Sequence, residues 1–132
     1  MNKSFLSVAA ISGCLGVILG AFGAHKLKEI LSADAVNVFE TAVRYQFYHT
    51  FALFIVAILY ERFPNKLMKW AGNCFMAGII LFSGSLYTLT VFRITETTGF
   101  DKIGIITPFG GIFLITGWLL IFLAVTKKNA EL

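Results

Sequence analysis

Two histidines and a few neutral polar side chains are the residues with which this chain could do chemistry. On a helical wheel His49 falls near Ala42 and Gln46, with Tyr45 flanking. Joined by Ser85, Thr88 and Thr107 from later segments, and by His25 at the end of the first, they would form a polar pocket. Such a pocket suits a head group or a quinone-like molecule. The same side chains would serve equally well as hydrogen-bond partners that fix the register of neighbouring helices. Two histidines can in principle hold a haem from both sides, but no spacing here supports it, and no cofactor is expected. No nucleophile, base and orienting group stand at a recognised spacing. HExxH, GxSxG and a phosphate-binding glycine loop are all missing, so no catalytic residue is expected. Cys14 and Cys74 sit in apolar stretches without the spacing of a disulfide or metal knuckle. They read as small buried hydrophobes, and no metal site is expected.

The elements that must position these groups are membrane spans. The chain has 132 residues, one domain by length, of which 58% are hydrophobic and 14% charged. Soluble proteins run at roughly 45–50% and about 25%. Charge-free stretches at Ser4–Ala24, Tyr45–Tyr60, Trp70–Phe92 and Ile103–Thr126 place spans at about 4–24, 45–62, 70–92 and 104–126, the second being short and completed by residues at its charged edge. The runs are continuous, with small residues at a period near that of an α-helix, which excludes the alternation of a β-barrel. The fold class is therefore all-α: four transmembrane helices in a compact bundle. No Asp, Glu, Lys or Arg lies inside a span, which argues against an ion-coupled transporter. The net charge of +4 is confined to short connections, so it reads as membrane orientation and not as a nucleic-acid surface. Met1-Asn2-Lys3 before an apolar run imitates a signal peptide, and 11–14 imitates a lipoprotein cleavage box. The apolar run continues to Ala24, where a cleaved lipoprotein turns polar, so neither is expected.

Within the spans, small residues form stripes. Ala9, Gly13, Gly16, Gly20 and Gly23 share one face of the first, with Leu15, Ile18 and Phe22 opposite. In the third, Asn73, Ala77, Gly84 and Thr88 share a face, flanked by Cys74, Gly78 and Ser85; Phe75, Ile79, Phe82 and Leu86 lie opposite. In the fourth, Gly110, Gly117 and Ala124 align, with Leu114 and Ile121 between. Small faces let helices approach closely and bulky faces meet lipid. The stripe of the first span is thus expected against the small face of the third or fourth. From Asp34 to Arg44 the pattern is that of an amphipathic helix, capped by Ser32 or Asp34, with Glu40 and Arg44 paired. It runs directly into the second span and is expected to pack on its own bundle. Thr107 reads as the cap of the fourth span, with Pro108 at its first position.

Four spans put both termini on one side. Lys3, Arg62, Lys66, Lys69, Lys127 and Lys128 give six basic residues there, against five on the other, so both termini are expected in the cytoplasm.

Ordered motifs run along nearly the whole chain. They are Gly20-Ala21-Phe22-Gly23-Ala24-His25, Tyr45-Gln46-Phe47-Tyr48-His49, Phe82-Ser83-Gly84-Ser85-Leu86-Tyr87, Ile106-Thr107-Pro108-Phe109-Gly110-Gly111 and Gly117-Trp118. With these, the chain resembles the YgdD-like family of small bacterial inner-membrane proteins of unknown function, which has a similar eukaryotic membrane protein. The resemblance implies a four-span protein of the bacterial inner membrane and brings no activity, substrate or catalytic residue with it. The connection from Arg93 to Lys102 is longer and more polar than the family leads one to expect. The expected function is a non-enzymatic accessory or scaffold acting through helix contacts. The alternative is binding or transport of a lipid- or quinone-like molecule at the His49 face. Expected partners are membrane lipids and a second copy or another membrane protein.

Overall fold

The computed structural model describes residues 1–127; Lys128, counted above for orientation, lies outside them. Four helices are long and apolar enough to cross a membrane: α1 (Lys3–Ile30), α2 (Ala33–Leu59), α3 (Lys66–Ile94) and α4 (Asp101–Thr126). α1 packs chiefly on α2 and α3 on α4, and α2 joins the two pairs by lying against α3. Phe5 and Ala9 of α1 meet Leu53, Val56 and Ala57 of α2 in the main core. Met68, Ala71 and Phe75 of α3 and Leu114 and Ala124 of α4 complete it.

Helix ends are satisfied by side chains, as backbone groups at a lipid boundary require. Asn2, Ser32 and Asn65 each accept a bond from the backbone N–H three residues on. The Asn65 amide also donates to the Ala124 carbonyl at 3.2 Å, tying the start of α3 to the end of α4. Ser32 therefore caps α2, which runs without a break from the interface into the span. Its first turns bury Val36 and Phe39 against Leu27 and Leu31 of the preceding segment. The Glu40–Arg44 pair does not form: the Arg44 guanidinium donates to the nearer Thr41 hydroxyl at 3.2 Å. The helix also stops at Leu59, short of the expected boundary at 62.

The glycine stripe of α1 meets α2, and not the small faces of α3 or α4. Gly13, Gly16, Gly20 and Gly23 lie against Thr50, Phe47, Val43 and Phe39, an ascending stripe matched to a descending one. A Cβ at Gly16 would sit 2.9 Å from the Phe47 ring, and one at Gly23 would sit 2.7 Å from Phe39. The reason is complementarity: rings on α2 fill grooves that glycines leave on α1, which gains more contact than two small faces could. Leu15, Ile18 and Phe22 are exposed to the bilayer side, as their position opposite the stripe implies.

Two helices carry a π-helical turn, Gly23–Leu27 in α1 and Ile79–Ser83 in α3. The second changes the face that α3 presents beyond it. Phe75, which precedes that turn and was expected toward lipid, is fully buried. It fills the notch at Gly117, where a Cβ would lie 2.6 Å from its ring. Gly78 receives Leu114, and Gly110 lies directly on the backbone of Leu81 and Phe82. Gly84 is different: nothing lies within 4 Å of where its Cβ would be, so it packs against no helix. A 3₁₀ turn, Asp101–Ile105, leads into α4 and places Thr107 inside the helix. Its hydroxyl is therefore not a cap and bonds Ser85 instead.

Candidate functional site

The polar residues picked out in the sequence fall into three separate places. The first is a node around Gln46. Its Nε2 donates to the Ser12 carbonyl of α1 at 2.8 Å, and its Oε1 accepts from the Tyr87 hydroxyl of α3 at 2.7 Å. Next to it the Ser12 and Thr50 hydroxyls share a hydrogen bond of 2.6 Å. Ser83, fully buried, donates to the Ala42 carbonyl of α2 at 2.7 Å. The node thus joins three helices with uncharged groups. Ser12 lies about 14 Å along α1 from Lys3 at roughly 1.5 Å per residue. On α2 the node stands only two residues inside Arg44, about 3 Å of helix, so it lies nearer the membrane face at which that charge-free stretch begins.

The node is the floor of a groove between α1 and α3, with a volume of about 570 Å³. Val8, Ile11, Leu15 and Leu19 form one wall. Met76, Ile79, Ile80 and Gly84 form the other. One feature bounds it and another opens it. Phe5 wedges against Gly72 and joins the two helices at one end. Further along, the Ile79–Ser83 turn and the bare Gly84 leave the α3 wall short of side chains. Ile11 and Ile80 are among the exposed residues, so the groove opens sideways toward lipid.

The second place holds His49. Its Nδ1 lies 2.7 Å from the Tyr45 carbonyl. A carbonyl only accepts, so Nδ1 carries the proton. Around the imidazole stand Tyr45, Phe75 and Trp118, with ring centroids 5.9, 5.8 and 6.3 Å away. Phe82 stacks on Tyr45 at 4.5 Å. His49 is therefore enclosed by aromatic rings of α2, α3 and α4 and does not line the groove. The third place is a clasp. Ser85 donates to the Phe82 carbonyl at 2.9 Å, so the Thr107 hydroxyl donates to Ser85 across the α3–α4 contact at 2.6 Å.

The structure does not bring the remaining candidates together. Thr88 bonds the Gly84 carbonyl within its own helix. His25 is exposed on the Gly23–Leu27 turn and joins none of the three clusters. Cys74 is buried as expected, whereas Cys14 is exposed on the outer side of α1. Among the described residues there is no group of three His, Cys, Asp or Glu placed to hold a metal. Ser12, Thr50, Ser83 and Tyr87 were not singled out from sequence. Single hydroxyls inside apolar runs carry no periodic signal, and the glycine stripe beside Ser12 was expected against the third or fourth span, not α2.

Helix spans, an uncharged interior and a lateral groove define a multi-pass α-helical membrane protein. Residues 19–111 match the family model described as "Protein of unknown function (DUF423)". The chain belongs to this family of membrane proteins of unknown function. It is 40% identical to the UPF0382 membrane protein YwdK of Bacillus subtilis, over 95% of this chain and 98% of that one. A UPF0382 membrane protein of Haemophilus influenzae is also 40% identical, over 90% of each chain. The UPF0382 inner membrane protein YgdD of Escherichia coli is 32% identical, over 98% of this chain and 95% of its own. No solved structure gives a significant match.

Proposed function

We propose that this is a non-enzymatic accessory protein of the bacterial inner membrane, with both termini in the cytoplasm, that takes a lipophilic molecule from the bilayer into the α1–α3 groove. The groove carries this reading. Its volume of about 570 Å³ lies within the roughly 300–1,000 Å³ of small-molecule sites. Its walls are apolar and it opens sideways toward lipid, which favours a ligand that partitions into the bilayer. The sequence offered a lipophilic ligand at the His49 face, with Gln46 in that pocket, as the alternative reading; the proposal centres it on Gln46, because rings close over His49. The scaffold reading is weaker because its main device is already used: the glycine stripe is occupied by α2 of the same chain. Association with a second copy or another membrane protein would then rest on bulky, lipid-facing side chains.

Native mass spectrometry of protein extracted with its own lipids tests the reading. The expected spectrum has one lipophilic adduct per chain, lost in Gly84→Phe, which fills the groove where no helix packs. Bare protein, or an adduct that persists unchanged in Gly84→Phe, would refute it.

A further inference from the structure

We propose that the groove takes a molecule of quinone type, a neutral ring bearing carbonyl oxygens on an apolar tail, with one carbonyl accepting a hydrogen bond from Gln46. This rests on the groove reading above and adds the chemistry of the occupant.

Donor accounting at Gln46 carries the inference. A carboxamide has one oxygen and two N–H donors. The Ser12 carbonyl can only accept, so it fixes the nitrogen on that side, and the oxygen accepts from Tyr87. One N–H is thereby used, and among the described residues the second has no partner. Gln46 lines the groove, so a molecule lying there is within reach of the carboxamide. An unpaired donor in hydrocarbon is costly, and the fitting occupant supplies an acceptor. The groove walls are apolar side chains, so the acceptor belongs to a molecule whose remainder is apolar. Charge narrows it again: among the described residues no Asp, Glu, Lys, Arg or His lines the groove, which favours a neutral head. Gly84 precedes Tyr87 by about one turn on α3, and its open side leaves room for a ring beside the node.

The test uses full-length protein in nanodiscs of phosphatidylcholine and phosphatidylglycerol free of quinone. Two probes are titrated: decyl-ubiquinone, and decylbenzene, which offers a ring and tail without carbonyls. The quinone is expected to bind one per chain and about tenfold tighter than decylbenzene, the advantage of one neutral hydrogen bond. Gln46→Met is expected to remove that advantage, and Gly84→Phe to remove binding of both. Equal binding of the two probes, blocked by Gly84→Phe, overturns the quinone assignment and leaves the groove reading standing. Binding of neither overturns both. Should Gln46→Met fail to fold, infrared spectra of the wild type decide: a carbonyl stretch of bound quinone shifted to lower frequency supports the bond, and an unshifted one overturns it.

Discussion

Gly110→Ala is expected to weaken the α3–α4 pair more than its single methyl group implies. A Cβ at residue 110 would lie 2.7 Å from the Cα of Phe82 and 2.8 Å from the carbonyl carbon of Leu81. The Phe82 nitrogen lies closer still, and ordinary contact begins at 3.4 Å, so the helices must part by at least about 0.7 Å. No rotamer change can relieve the clash, because the opposing atoms are backbone. Overpacking of this kind costs about 1–3 kcal/mol. A gap of that width also forfeits roughly a quarter of the dispersion along the seam. The upper end of the range, about 3 kcal/mol, is the expected loss, close to a hundredfold in the folding equilibrium. Alanine is the better helix former, so the comparison needs a control. Gly84→Ala supplies it: with nothing within 4 Å, that variant is expected to be neutral or more stable by up to about 1 kcal/mol. Both are measured by reversible unfolding in mixed SDS and dodecylmaltoside micelles. Trp118 fluorescence reports the transition, since its indole packs edge-on against Phe75 at 5.4 Å. If Gly110→Ala proves as stable as Gly84→Ala, the two backbones do not meet at this point and the reasoning fails.

Three further outcomes are expected. Gly16→Leu should separate α1 from α2 and abolish a monodisperse peak in size-exclusion chromatography. Gly13→Ala, whose Cβ would make ordinary contact with Thr50 at 3.7 Å, should behave as wild type; the opposite order would put the stripe in lipid. A double-mutant cycle on Ser85→Ala and Thr107→Val should give a coupling of about 0.6–1.7 kcal/mol, the span seen for hydrogen bonds between membrane helices. Zero coupling would deny the clasp. A C-terminal green fluorescent protein fusion should fluoresce in cells while an alkaline phosphatase fusion at the same point stays inactive; the reverse pattern would invert the orientation.

The spans were legible because charge exclusion from hydrocarbon is severe and writes itself as long runs without Asp, Glu, Lys or Arg. The continuous α2 was legible for a related reason, since no Gly or Pro interrupts 33–59 and Ser32 stands at its start. Partners were harder. Periodicity tells which face of α1 is narrow, but the residues that fill a narrow face are bulky ones elsewhere, and nothing in the pattern of α2 marks Phe39 and Phe47 as the rings that fill this one. Phe75 misled for the same reason. On α3 the wheel itself failed, because a constant turn per residue does not hold across the π turn at 79–83. The hydrogen bonds of Gln46 were half legible. Its polarity inside a span required partners, yet Ser12 offers a backbone carbonyl, which any residue at that position would also provide.

That π turn has a consequence in the language of insertions. A π turn is an α-helix holding one extra residue, and each residue turns a helix by about 100°. Removing one residue between Ile79 and Ser83 would let α3 run as a plain α-helix, and everything beyond would swing by that angle. Tyr87 would leave Gln46 and Gly84 would leave the groove, while Phe75 and Gly78, which precede the turn, would keep their places against α4. A single codon thus separates a bundle with a lateral groove from one without it, and the half of α3 that holds the core would be unaffected by the change.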